Sequence, residues 1–143
     1  MKMIIPAALI ALALSAPALA MHEQGGRKLM TSLSGAMEVP GPGDTDGTGT
    51  FSATFNPGQT KVCYTLSVAK IATATMAHIH RGAAGAAGPV VVALMAPASG
   101  KSSACATVSR DLAKELINTP EGFYVNVHNA VYPAGAVRGQ LMK

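Results

Sequence analysis

Short runs of alternating apolar and polar residues dominate this chain, and turns rich in Gly and Pro separate them. In residues 61–69 every second side chain from Val62 to Val68 is apolar. A period of two places such side chains on one face of a β-strand. Seven segments have this strand-like character: 28–34, 49–55, 61–69, 76–80, 89–94, 123–128 and 136–142. The sequence therefore predicts an all-β fold, a sandwich or barrel.

One segment has the pattern of a helix instead of a strand. Leu112, Leu116 and Ile117 recur at helical spacing, Ser109 is a suitable N-cap, and Pro120 stops the helix. We predict a short connecting helix over residues 110–118.

The N-terminal segment has the features of an export signal. Lys2 is followed by an apolar run over residues 4–14 and by the small-x-small pattern that ends at Ala20. We predict a signal peptide over residues 1–20, a flexible leader over 21–28 and one domain over 29–143. A retained N-terminal anchor is the alternative. The expected location is the periplasm or the extracellular space.

The chain contains two cysteines, Cys63 and Cys105. In an exported chain such a pair most often forms a disulfide, and we predict this bridge. Soft metal ligands or a redox pair are the alternatives, although neither cysteine lies in a Cys-x-x-Cys pattern. The net charge of +4 is small and scattered, with no basic stripe, so nucleic acid is a poor candidate partner.

Three of the four histidines end apolar, strand-like runs. His78 and His80 share one face if their segment is a strand, and His128 has the same setting. Neutral imidazole binds copper, zinc or nickel well, so we predict one metal ion, with copper preferred and zinc as the alternative. Water, Glu38 or His22 could fill a fourth position. Solvated side chains without metal are the other interpretation.

The alternation also predicts which side chains lie outside the core. It places the histidines and Arg138 on outer faces of the sheet and predicts that they are exposed to solvent. Whether they converge depends on strand order, which alternation does not reveal. Arg138 is either a surface salt-bridge partner or a group that guides an anion to the metal. No nucleophile elbow, P-loop or pair of catalytic carboxylates is present, so enzyme activity is left open.

Five motifs occur in this order along the chain: LSGAMEVP (33–40), AHIHRG (77–82), GPVVV (88–92), FYVNVH (123–128) and YPAGAVRGQL (132–141). Together they resemble the chordin-type domain, CHRD, across about residues 29–142. The family takes its name from an extracellular antagonist of bone morphogenetic proteins and also occurs as single exported bacterial domains, so the resemblance implies an extracellular or periplasmic module.

The chain also has a more distant similarity to copper/zinc superoxide dismutases. His78 and His80 match the His-x-His strand of those enzymes, His128 matches a later strand end, and Arg138 matches the arginine near copper. The similarity implies a Greek-key β-barrel with copper on its outer wall. The bridging histidine and the zinc ligands have no counterparts here, which implies a mononuclear three-histidine site. A metal-free protein-interaction module and a dismutase-like enzyme remain the rival functions.

Overall fold

A computed structural model describes residues 26–58 and 60–143. The predicted signal peptide, most of the predicted leader and His22 lie outside the described residues, so those predictions stay untested. Within the described residues, no helix has the length and apolar character needed to cross a membrane.

The described chain forms eight strands and one α-helix, with 3₁₀ turns at Gly35–Met37 and Pro120–Gly122. The strands and helix are β1 (Arg27–Ser34), β2 (Thr48–Asn56), β3 (Lys61–Ala69), β4 (Ala74–Arg81), β5 (Val90–Leu94), β6 (Lys101–Thr107), α1 (Arg110–Asn118), β7 (Phe123–Asn129) and β8 (Val137–Gln140).

The strands form one antiparallel sheet in the order β5-β4-β7-β8-β1-β2-β3-β6. The two end strands approach each other, and the Met95 N–H donates to the Tyr64 hydroxyl at 2.7 Å beside this junction. The Ser102 hydroxyl in turn donates to the Met95 carbonyl at 2.8 Å. The sheet is therefore a nearly closed barrel, and the β3–β4 and β6–β7 connections cross it in Greek-key fashion. The predicted all-β fold is confirmed.

The predicted helix is also confirmed. It spans Arg110–Asn118, and the Ser109 side chain accepts a hydrogen bond from the Leu112 N–H at 3.1 Å. Such a bond satisfies one of the free N–H groups at a helix start. Ala113 and Leu116 are fully buried in the core, so this helix contributes apolar surface to the barrel interior.

One strand, β6, was not predicted from the sequence. Its residues are mostly Ser, Ala and Thr, which lack the large apolar side chains that mark the other strands. It is held by seven pairs with β3, one of which places Cys63 opposite Cys105. The two cysteines form the predicted disulfide, at a sequence separation of 42.

The barrel interior follows the predicted alternation. Alternate residues of most strands are buried in one apolar cluster, to which Leu29, Phe51, Leu66, Ile79 and Val125 belong, each at most 1% exposed. From β6, only the partly buried Ala104 and Ala106 pack against this cluster. Burial of such side chains stabilises the fold by about 1.5–3 kcal/mol each before entropy costs. The polar side chains between these core positions consequently lie on the outer wall, where the candidate site is found.

Candidate metal centre

Strand order brings the three predicted histidines together. β4 and β7 are neighbours, and their register places His80 opposite Tyr124 and Met76 opposite His128. Ala77 and Ile79 enter the core, so the alternating His78 and His80 project from the outer wall. The sequence left their convergence with His128 undecided, and the adjacent strands now provide it.

The ring nitrogens are close enough for one ion. His78 Nδ1 lies 3.2 Å from His128 Nε2, and the candidate ligand atoms of all three histidines lie within 4.8 Å of one another. Two nitrogens bound to one tetrahedral ion at about 2.0–2.1 Å would lie about 3.3 Å apart. The His78 and His128 nitrogens already have this spacing. The His80 nitrogen would have to move closer to them to bind the same ion.

Backbone carbonyls fix the orientation of two of the rings. His80 Nδ1 lies 2.8 Å from the Gly88 carbonyl oxygen, and His128 Nδ1 lies 3.0 Å from that of Pro133. A carbonyl only accepts, so these nitrogens donate and each Nε2 keeps its lone pair. Protein metal sites hold their histidines in this way. His80 Nε2 is buried and has no hydrogen-bond partner in the described part of the chain.

The donor and the acceptor in the contact between His78 and His128 can be assigned. Since His128 Nδ1 donates to Pro133, the neutral His128 ring accepts at Nε2 and His78 Nδ1 donates to it. A metal ion placed between the rings would replace this shared proton. His78 would then carry its proton on Nε2 and remain neutral.

Burial favours the neutral form of His78 and His128. It lowers the pKa of His78, and His128 and His80 lower it further. Burial likewise lowers the pKa of His128, although the hydrogen bond to the Pro133 carbonyl acts in the opposite direction. Because an ion binds only deprotonated imidazole nitrogen, neutral rings at pH 7 are available as ligands.

A stack of three side chains supports His80. Its ring lies parallel to Tyr124, with 4.8 Å between centroids and 6° between planes. The Arg138 guanidinium lies 3.4 Å from the Tyr124 centroid, in a cation–π contact. β7 lies between β4 and β8, so Tyr124 separates the other two side chains. The Tyr124 hydroxyl also accepts from the Gly88 N–H at 3.1 Å, which ties the glycine-rich segment 82–89 over this wall.

The prediction of solvent exposure was wrong for His80, His128 and Arg138, although His78 on the same outer face is only partly buried. His80, Tyr124, Asn126 and His128 are 3–9% exposed, and Arg138 is 1% exposed. The face does point away from the core, but segment 82–89 and neighbouring loops cover it. Sequence alternation distinguishes two faces of a strand and contains no information on what loops cover either face.

Arg138 is held beneath that cover. Its Nη2 donates to the Ala83 carbonyl at 3.0 Å and to Gln140 Oε1 at 3.4 Å. Gln140 in turn donates to the Gly82 carbonyl at 2.6 Å. Arg138 pairs with Asn126, which pairs with His78, so two strand spacings, about 10 Å, separate its backbone from that of His78. Its predicted role in anion guidance stays a prediction.

Glu38, a candidate fourth ligand, interacts with Arg138, Asn126 and the Val39 N–H. It is 5% exposed, and it does not belong to the histidine group identified within the described residues. Burial raises its pKa to about 7, although Arg138 and hydrogen bonds from the Val39 N–H and Asn126 lower it. Sequence reasoning missed this buried acid–amide–guanidinium cluster, because Glu38 sits in a loop of turn formers whose path the sequence does not show.

Three polar atoms of that cluster have no hydrogen-bond partner among the described residues. They are Glu38 Oε1, Asn126 Oδ1 and Arg138 Nη1, and all are buried. Buried polar atoms usually bond to protein or ordered water. The wall around the histidines thus concentrates buried polar atoms that have no protein partner among the described residues.

Comparison with known proteins identifies the family. The family model described as the CHRD domain matches residues 29–141. No curated protein matches the chain. No solved structure matches it either, so the similarity to copper/zinc superoxide dismutases has no support beyond the motifs themselves. The family match covers nearly all of the described residues and agrees with the motifs, and the chain therefore belongs to the CHRD domain family.

Proposed function

We propose that this protein is an exported CHRD-domain protein that binds one copper ion through His78, His80 and His128. One observation carries the proposal: two imidazole nitrogens 3.2 Å apart lie beside a third that is buried and has no partner in the described residues. Leaving a buried acceptor unpaired costs about 1–3 kcal/mol. A bound ion would remove that cost.

The donor set favours copper. Three imidazoles without a thiolate suit copper, zinc or nickel, and copper(II) heads the affinity order among divalent ions at such sites. Zinc is the alternative ion, since it accepts three histidines and one open position. Bound copper could be stored or delivered, and an open coordination position on it would allow one-electron chemistry.

Export is proposed on two grounds. Disulfides persist in oxidising compartments, and Cys63 is bonded to Cys105 here. CHRD is a family of extracellular domains, which is consistent with secretion. Together with the signal-peptide pattern in the sequence, these features support a periplasmic or secreted protein.

Copper titration of the purified mature chain tests the proposal. We expect one equivalent of copper(II) to bind and to give an electron paramagnetic resonance spectrum with nitrogen hyperfine structure. The variant His78→Ala/His80→Ala/His128→Ala should lose this binding while circular dichroism shows the fold retained. Thr50→Ala, an exposed change on β2, is the matched control and should bind as the parent does. Equal binding by the triple variant would overturn the proposal.

One observation favours a metal-free function. The His78–His128 hydrogen bond pairs two of the rings without any ion. An extracellular protein-interaction module would need these residues only for folding, and chelators would then have no effect on partner binding. The triple variant separates the two functions, because a structural role predicts loss of stability without any copper binding by the parent.

Dismutase-like turnover does not belong to the proposal. An anion could reach Arg138 only if segment 82–89 moved, because the guanidinium is 1% exposed and bonded to Ala83. Superoxide decay measured with copper-loaded protein, with and without Arg138→Lys, tests the remaining enzymatic hypothesis.

A further inference from the structure

We propose that the Met76 thioether is a fourth ligand at the histidine site and adapts that site to copper(I). This inference rests on the proposed function, because it needs an ion bound by the three histidines. It goes further by naming the oxidation state and an additional ligating residue.

The register of β4 places Met76 beside the histidines. Met76 is directly opposite His128 and two residues before His78, so it shares the outer face with both. Cβ atoms of directly opposed residues in an antiparallel pair are about 4.5–5.5 Å apart. A methionine side chain, with three rotatable bonds, can span the remaining distance to an ion beside His128.

An irregularity in the strand pairing helps to define this position. Ala74 pairs with Asn129 and Met76 with His128, so Thr75 is the extra residue of a bulge. The Thr75 hydroxyl donates to the His128 carbonyl at 3.3 Å and fixes the bulge against β7. Bulges often re-aim side chains next to functional sites.

Met76 also lies on the open side of the site. Segment 82–89 covers the His80 side, where Gly88 bonds His80 and Tyr124. Met76 is 49% exposed, and His78 next to it is only partly buried. A fourth ligand can therefore approach from this side without displacing a covering loop. Glu38 is engaged with Asn126 and Arg138 instead.

A thioether changes which oxidation state of copper the site prefers. Methionine sulfur is a soft ligand that selects copper(I), whereas copper(II) takes it only as a weak, distant ligand. Three imidazoles and one thioether also provide four donors, enough for tetrahedral copper(I). Met76 should therefore stabilise the reduced ion relative to the oxidised one.

The test compares Met76→Leu with Met142→Leu in the full mature chain. Leucine conserves volume and removes the sulfur, and Met142 is 54% exposed and pairs with Met30 on another part of the barrel. We expect Met76→Leu to weaken copper(I) binding about tenfold, at the lower end of the loss caused by removing a supporting contact of a metal site. Copper(II) binding should be unchanged, as should both affinities in Met142→Leu.

X-ray absorption of the copper(I) form provides a second measurement. A sulfur scatterer should be present in the parent and in Met142→Leu, and absent in Met76→Leu. Unchanged copper(I) affinity in Met76→Leu, or no sulfur scatterer in the parent, would overturn the role of Met76 while the three-histidine site stands. Failure of the parent to bind copper in either state would overturn both proposals.

Discussion

The outward side chains are exposed or partly buried on one wall of this barrel and mostly buried on another. On β2, β3 and β6 the outward side chains are mostly small and polar, with Lys61 and Lys101 at strand ends, and none of them is buried. On β4, β7 and β8 the outward set contains His80, Tyr124, Asn126, His128 and Arg138, all at most 9% exposed. The first wall is an ordinary solvated sheet surface. The second buries groups that prefer water.

The cross-strand links of the two walls differ in the same way. The solvated wall is joined covalently by Cys63 and Cys105. The covered wall is joined by the His78–His128 contact, next to polar atoms without partners in the described chain. Buried unpaired polar groups destabilise a fold, whereas a disulfide stabilises it. We infer that the first wall supplies stability and that the second gives some of it up for binding.

The largest expected effect comes from the solvated wall. Cys63→Ser/Cys105→Ser should lower the free energy of unfolding by about 4 kcal/mol, because the bridge closes a long loop in the unfolded chain. Urea denaturation measures this change. The folded fraction should keep the copper affinity of the parent, since the histidines lie on the other wall.

A neighbouring pair in the same wall provides the control. Thr65 and Ser103 share a hydrogen bond of 3.1 Å between their hydroxyl oxygens and pair across the same two strands. Thr65→Ala should cost far less than loss of the disulfide. If the serine variant lost copper affinity while folded, the division between the two walls would be wrong.

The second effect concerns stabilisation of the covered wall by an ion. Free copper(II) or zinc at about 100 times its dissociation constant should raise the free energy of unfolding by about 2.7 kcal/mol. Thermal unfolding with and without chelator measures the shift. The variant His78→Ala/His80→Ala/His128→Ala should show none, and Thr50→Ala should show the full shift. Equal shifts in the parent, the triple histidine variant and Thr50→Ala would show that the stabilising ion binds at another site.

The solvated wall was the part that the sequence predicted best. Alternation gave β3 its observed limits, and the cysteine count gave the disulfide, because both follow from local pattern and chain chemistry. β6 was not predicted because Ala and Ser alone do not indicate a strand. Its pairing with β3 depends on tertiary contacts, which a local pattern does not contain.

The covered wall was predicted only in part. The spacing of His78 and His80 and the strand end at His128 gave the candidate ligands, since a strand's period fixes its faces. The burial of Arg138 and the position of Glu38 could not follow from that period. They depend on segment 82–89 and on the loop after the first 3₁₀ turn, whose paths are set by long-range bonds to Gln140, Tyr124 and Ala136.

The third effect is a pH dependence of the covered wall. The pKa of Glu38 is raised from 4.5 to about 7 by burial, so the folded protein keeps a proton that the unfolded chain releases. Stability from this group is complete below pH 4.5, falls as the pH rises and is lost above pH 7. Glu38→Gln does not titrate and should remove the fall.

Urea denaturation at pH 5 and pH 8 measures this effect. At each pH, the free energy of unfolding of the parent is subtracted from that of Glu38→Gln. Between pH 5 and pH 8 this difference should shift by about 1–2 kcal/mol in favour of the variant, after allowance for solvent screening. His78 and His128 titrate with the opposite sign, since their lowered pKa values destabilise the fold in acid, but their contribution cancels between the two proteins. A difference independent of pH would mean that Glu38 is ionised throughout.

The smallest expected effect lies at the edge of the covered wall. Arg81 follows His80 directly, forms an ion pair with Glu115 of α1 and lies 5.0 Å from the Phe123 centroid. Both charged side chains are more than 40% exposed, and exposed pairs contribute little because water and salt screen them. Arg81 lowers the pKa of Glu115, so any contribution is present above pH 4.5 and lost as the pH falls below it. We expect Glu115→Gln to leave both unfolding and copper affinity unchanged at pH 7, whether measured in low or high salt. Loss of copper affinity in this variant would show that the ion pair positions His80, and the covered wall would then extend to the helix.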